Sequence, residues 1–201
     1  RRYLRDALHR SRNIAADGVA DLLDDFVSGM REGGLSVTLK TFPGIGNVSA
    51  DVTESIAENT DSLMTIRDTN FVPYASGIQA GADCVMVSNA AYSKLTVKKV
   101  PAFMSQDIVT KLLREELGFD GIVMTSPLND NVIENNYTNE FAVVEAVKAG
   151  CDLIVLPGNF KECYEALITA VEEGRIDEKV INTSVRRILQ NKIQRGILVL
   201  E

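Results

Sequence analysis

Lys40, Thr41, Asp51, Thr53, Asn89, Ser126 and Asp130 are the residues whose types and places could do chemistry. Lys40 opens the run Lys40-Thr41-Phe42-Pro43-Gly44-Ile45-Gly46-Asn47, where a cation stands just ahead of a sharp Pro-Gly turn. An ammonium there can donate to substrate hydroxyls, and a desolvated amine could form a Schiff base. Ser126 follows the apolar run GIVMT, and Asn89 follows CVMVS. Ser126 has no histidine or evident base near it in sequence, so it reads as a pocket-lining hydroxyl and not as a nucleophile. The single histidine, His9, lies outside all of these motifs. Cys84, Cys151 and Cys163 are odd in number and show no CxxC spacing, which fits buried small hydrophobes and neither a disulfide framework nor a thiolate metal site. The pairs Asp24-Asp25 and Glu172-Glu173 read as solvated helix faces.

The elements that must position these residues are announced by one repeated phrase. Gly81-Ala82-Asp83 precedes CVMVS, Gly118-Phe119-Asp120 precedes GIVMTS, and Gly150-Cys151-Asp152 precedes LIVLP. In each, glycine suits the left-handed position that closes a helix, and the apolar run suits a strand buried on both faces. The three aspartates then start strands and are expected to be structural. With Leu35 to Lys40, the reading gives four strands, near 36–40, 83–88, 121–125 and 152–156, parallel, adjacent and in sequence order with helices outside. Asp17 is the candidate N-cap of a helix whose stripe is Val19, Leu22, Leu23, Phe26, Val27 and Met30, stopped at Gly33-Gly34. Later helices follow Ser105, Asn159 and Asp177. The fold class is α/β, a (β/α) TIM-type barrel, incomplete because eight units need ~250 residues. Residues 1–201 form a single partial barrel domain. Gly44 to Asn59 and Asn89 to Val100 follow strand ends, where barrel active-site loops sit, so Lys40, Asn89 and Ser126 are expected at one rim.

A net charge of −7 with no cluster of Lys and Arg among aromatics excludes a nucleic-acid partner. No apolar run approaches the ~20 residues that span a bilayer. The opening at Arg1, without Met or a signal sequence, fits a mature or trimmed product, and the compartment stays open: bacterial cytoplasm and cell envelope or secretion are both compatible.

The segments KTFPGIGN, LREELGFDGIVMTSPL, AGADCVMVS, VPAFMS, KAGCDLIVLP and RIDEKVINTSVRRIL, in unbroken order from about Arg12 to Gly196, resemble glycoside hydrolase family 3 of the β-N-acetylhexosaminidase type. That family reads KHFPGHGD, an Asp-Ser-His loop, and LREELGFDGVVVTDAL. The resemblance implies a barrel whose strands here correspond to the fourth onward, the first three coming from an upstream segment or another chain. It implies sugar contacts by Arg12, in a segment like RSFGSD, and by Lys40, with Thr41, Asn89 and Ser126 also lining the substrate site. It implies no cofactor and no metal, and an amino-sugar or peptidoglycan-type saccharide as ligand. A retaining glycosidase needs a carboxylate nucleophile and an acid/base group. The family's nucleophile falls on Ser126 and its acid/base histidine on Thr53, with Asp51 retained two residues earlier. Thr41, Ile45 and Asn89 also stand where the family has histidines. Whether the chain is an enzyme is therefore open. A catalytically inactive homologue is expected, retaining sugar binding or an interaction role. The alternative is an active retaining β-N-acetylglucosaminidase or β-glycosidase using a displaced carboxylate, Asp130 or Asp51. An unrelated barrel aldolase using Lys40 is the third class.

Overall fold

The structure, a computed structural model, describes residues 16–48 and 50–199. Arg12 and His9 lie outside the described residues. Helix α1 (Ala16–Glu32) leads through Gly34, at φ 79°, into strand β1 (Thr38–Phe42). A two-residue strand β2 (Glu58–Asn59), helices α2 (Leu63–Asp68) and α3 (Phe71–Gln79), strand β3 (Cys84–Val87) and a two-residue strand β4 (Ala91–Tyr92) follow. A 3₁₀ turn (Ala102–Met104) and a π-helix (Asp107–Glu116) precede strand β5 (Ile122–Thr125). Helices α4 (Asn131–Glu134), α5 (Asn139–Ala149), α6 (Phe160–Glu172) and α7 (Glu178–Gln194) complete the order.

The main sheet is parallel in the order β1-β3-β5, with Thr38 level with Cys84 and Cys84 level with Ile122. The parallel order expected for these three strands is thus observed. The fourth strand does not form as expected: 152–156 makes one bridge, Leu153 to Met124. The ladder begins normally, with the Asp152 and Leu153 amides donating to Val123 O, but the Val155 amide is taken by the Thr125 hydroxyl at 3.0 Å. Leu156 then turns to positive φ (46°) ahead of Pro157-Gly158. A second parallel pair, β2 with β4, lies in the two loops that carry no sequence pattern.

Alternation along the strands separates two faces. Leu39, Val85 and Val123 are buried toward the helices, against a core that includes Val27, Ile108, Leu113 and Val147. Phe42 stacks on Phe71 at 5.6 Å and meets Tyr74 edge-on at 5.0 Å. Lys40, Met86 and Met124 share one level of the opposite, more open face. The α1 stripe is only partly covered. Val27 is buried, whereas Leu22 and Phe26 stay exposed, as do Ile168 on α6 and Val185 and Leu189 on α7. Asp17 is a first-turn residue of α1 and not its N-cap, placed where a negative charge favours the helix dipole. Asn159 and Asp177 do cap their helices, accepting from the amides of Glu162 and Lys179.

The N-terminal ends of the strands are tied to the last helix by two buried carboxylates. Asp83 accepts from the Val37 amide at 2.9 Å, Asn191 Nδ2 at 3.0 Å, and Arg195 Nη2 at 2.5 and 2.6 Å. Asp152 accepts from Arg114 Nη2 at 2.6 Å, Ser184 Oγ at 2.7 Å, the Val123 amide at 2.9 Å and Arg187 Nη1 at 3.2 Å. Asp120, third in the repeated phrase, is exposed and makes no hydrogen bond through its side chain among the described residues. Gly121 beside it has no room for a side chain, since a Cβ would stand 2.5 Å from Asp83 O and 2.5 Å from the Phe119 ring. Gly121→Ala is accordingly expected to destabilise by about 1–3 kcal/mol, read as a lowered urea midpoint with unchanged slope.

Candidate functional site at the C-terminal strand ends

The strand register puts the ends of β1, β3 and β5 at one level, so the segments after Phe42, Val87 and Thr125 emerge on the same rim. The turn after β1 is held from two sides: Asn70 Nδ2 donates to Pro43 O at 3.0 Å and Tyr92 Oη to Gly44 O at 3.0 Å. Gly44 has φ 116°, and the Asn70 amide occupies the space a side chain would need. Lys40 is exposed and Thr41 half-buried. Ser126 is buried, and both its amide (3.0 Å) and its hydroxyl (2.8 Å) donate to Val87 O. That bond turns the hydroxyl toward backbone.

Asp51 and Thr53 form a local pair. The Asp51 carboxylate accepts from the Thr53 amide at 2.9 Å and the Thr53 hydroxyl at 2.7 Å. Those two bonds hold the Asp51 carboxyl below the usual carboxylate range. The loop is docked across the rim, because the Val132 amide donates to Thr53 O at 2.8 Å and Asn131 Nδ2 to Glu54 at 2.8 Å. Asp130 stands at the N-cap position of α4 but caps nothing with its side chain. It accepts from Asn89 Nδ2 at 2.8 Å instead. Burial raises the Asp130 carboxyl above its ordinary range, with Asp51 and Glu54 adding to the effect and the Asn89 bond opposing it. Asn89 is buried and its Oδ1 has no donor among the described residues.

The structure thus brings Asp51, Thr53, Asn89 and Asp130 together through the docked loop, and sets Lys40 and Thr41 on β1 and Ser126 directly after β5, strands that open at the same end. The Asn89–Asp130 bond escaped sequence reasoning, since the two residues lie 41 apart and neither belongs to a recurring spacing. Among the described residues, no group of three or more His, Cys, Asp or Glu side chains could hold a metal ion, and no helix is long and apolar enough to cross a membrane. A cleft of about 320 Å³ lies instead at the opposite end, between Asp83, Gly121 and the α7 residues Arg187 and Asn191. Its polar groups are largely engaged in the Asp83 and Asp152 networks, and it is remote from the strand C-termini where barrel sites form.

The chain is similar to β-hexosaminidases of Stenotrophomonas maltophilia (strain K279a), 33% identical over 180 residues, covering 90% of this chain and 50% of the relative. It is also similar to that of Xylella fastidiosa (strain M23), 33% identical over 138 residues, covering 69% and 41% respectively. Among solved structures, a glycoside hydrolase family 3 β-N-acetylglucosaminidase from Paenibacillus sp. superposes with a TM-score of 0.83 at 32% identity, over 89% of this chain and 35% of that one. The chain therefore spans half or less of the length of these relatives. The model of the glycosyl hydrolase family 3 N-terminal domain matches residues 9–191, and with the parallel α/β sheet it establishes that this chain belongs to glycosyl hydrolase family 3.

Proposed function

We propose that this chain is a β-N-acetylhexosaminidase-type family 3 domain that has lost catalysis and keeps a saccharide-binding mouth. In this reading its strands are those of a (β/α) barrel from the fourth onward, and the ligand is an amino-sugar or peptidoglycan-type saccharide. The carrying observation is the pair of residues at the two catalytic positions. Ser126 spends its hydroxyl on Val87 O, and Thr53 spends its own on Asp51. Neither can supply the carboxylate that forms a glycosyl-enzyme bond or the group that protonates the leaving oxygen near neutral pH. Lys40, Thr41 and Asn89 supply donors and acceptors for sugar hydroxyls, and Arg12 would add a guanidinium fork. Saccharide ligands fit the relatives, whose names are β-hexosaminidase and β-N-acetylglucosaminidase.

The second reading, an active retaining hydrolase, is favoured by Asp130, a half-buried carboxyl raised in pKa at the mouth. One pair of assays separates them. Titration calorimetry with methyl β-N-acetylglucosaminide is expected to show binding, while an activated aryl N-acetylglucosaminide is expected to be left intact. Turnover abolished by Asp130→Asn would establish the second reading and overturn the first.

A further inference from the structure

Helix α1 keeps one row of its surface open. Its inner side is taken: Ala20 and Val27 are buried, Leu23 and Met30 pack on the core, and the Ser76 hydroxyl of α3 donates to Ala20 O at 2.7 Å. Leu22 and Phe26, neighbours one helical turn apart, are 61% and 56% exposed. Gly29 continues their row, and a Cβ placed there would meet nothing within 4 Å. The same helix carries Asp17, Asp21, Asp24 and Asp25, all exposed and none of them ion-paired among the described residues. A cover for this row must therefore be apolar and basic at once.

The residues ahead of α1 have that make-up. Residues 1–15 hold Arg1, Arg2, Arg5, Arg10 and Arg12 against Asp6 alone, and Tyr3, Leu4, Ala7 and Leu8 recur at helical spacing. The length also fits. From Ala16, where α1 begins, Leu22 and Phe26 lie about 9 and 15 Å along the helix axis. Residues 1–11 in one helical stretch would span about 16 Å, so a chain that doubles back over residues 12–15 reaches both, with Leu8 beside Leu22 and Leu4 beside Phe26. A second copy is a poorer cover, because a twofold contact would set each acidic helix against its own like.

We propose that residues 1–11 fold back along α1 and cover the Leu22–Phe26 row, with arginines set on the aspartates of that helix. The contact is within one chain and leaves Arg12 in the connection. It does not depend on the saccharide reading. Apolar side chains shed water on the row, the arginine stems extend that cover, and the charges choose the partner.

The test is thiol labelling of the full chain, in which Cys84, Cys151 and Cys163 are buried and give a low background. Leu22→Cys reports on the covered row. Asp24→Cys, two residues on and so on the opposite side of the helix, is the control. With each rate taken relative to the same chain unfolded in urea, Leu22→Cys is expected to react with a maleimide about tenfold or more slower than Asp24→Cys, equivalent to ~1.4 kcal/mol. Arg5→Glu with Arg10→Glu is expected to bring the two rates to within about twofold, and added salt to narrow the gap in their absence. Leu8→Cys with Leu22→Cys is expected to oxidise to a disulfide inside one chain, at a yield independent of protein concentration. Equal rates at positions 22 and 24, or protection that survives the charge reversal, would overturn the proposal. A disulfide that joins two chains and grows with concentration would overturn it in favour of a second copy.

Discussion

Asp152→Ala is expected to cost about 3–5 kcal/mol, a large part of the 5–15 kcal/mol typical of a domain, and to leave much of the chain unfolded at moderate temperature. The size follows from what the substitution strands. Arg114 is 11% exposed at its side chain, and burial already pushes its guanidinium pKa down. It spans to Phe119 O, Gly121 O and Gly150 O as well as to Asp152, and its Nε has no partner among the described residues. Removing the carboxylate leaves that cation buried with carbonyls alone, and it releases Ser184 and Arg187 of α7 in the same stroke. Asp120→Ala is the internal control. It occupies the same place in the repeated Gly-x-Asp phrase but is exposed, so its effect should stay within about 0.5 kcal/mol. Urea unfolding followed by circular dichroism reads both. Near-equal midpoints for the two variants would refute the buried-latch account.

The second large effect is a gain. A double variant, Ser126→Asp with Thr53→His, in a protein that carries the whole barrel, is expected to raise hydrolysis of an activated aryl N-acetylglucosaminide by about 10² to 10⁴-fold over wild type, with both singles near the wild-type level. The two substitutions serve different steps. An aspartate at 126 cannot donate to Val87 O as the serine does, so its carboxylate must leave that carbonyl and turn into the mouth. A histidine at 53 can donate to Asp51 in place of the threonine hydroxyl, which gives the ring an orienting carboxylate and keeps a proton available at its other nitrogen. Without the nucleophile there is no glycosyl-enzyme to resolve, and without the histidine the leaving oxygen departs unprotonated. Full activity in either single would show that a native group, Asp130 first among them, already performs the other role.

The strand positions were legible because Gly-x-Asp and a β-branched run coincide three times, and the caps at Asn159 and Asp177 because a capping side chain precedes each apolar stripe. Asp83 and Asp152 were readable as structural from their place ahead of strands; their partners on α7 were not, since ion pairs between distant segments leave no spacing. The shortening of the fourth strand depended on one threonine hydroxyl capturing the Val155 amide, a competition no hydrophobic pattern encodes. The β2–β4 pair was hidden because two-residue strands have no period. At the site, the departures of Thr53 and Ser126 from the motifs the chain resembles could be read from residue types alone, whereas the Asn89–Asp130 bond exists only once β3 and β5 bring their loops side by side. The exposure of Leu22 and Phe26 is likewise a fact of packing, set by what lies against α1 and not by the stripe itself.

The tie between Asp83 and α7 also sets a timetable for synthesis. The partners Asn191 and Arg195 are 108 and 112 residues further along the chain. At about 5–20 residues per second, the ribosome needs on the order of 5 to 20 s after making Asp83 before it delivers Arg195. Throughout that interval β1 and β3 can pair, the Val37 amide can reach Asp83, and Arg31, already made, can stand 3.5 Å from its carboxylate, but the closer contacts from Arg195 and Asn191 are still missing. This end of the sheet therefore reaches its final packing only when α7 emerges, so the first half of the chain is completed by residues translated long after it.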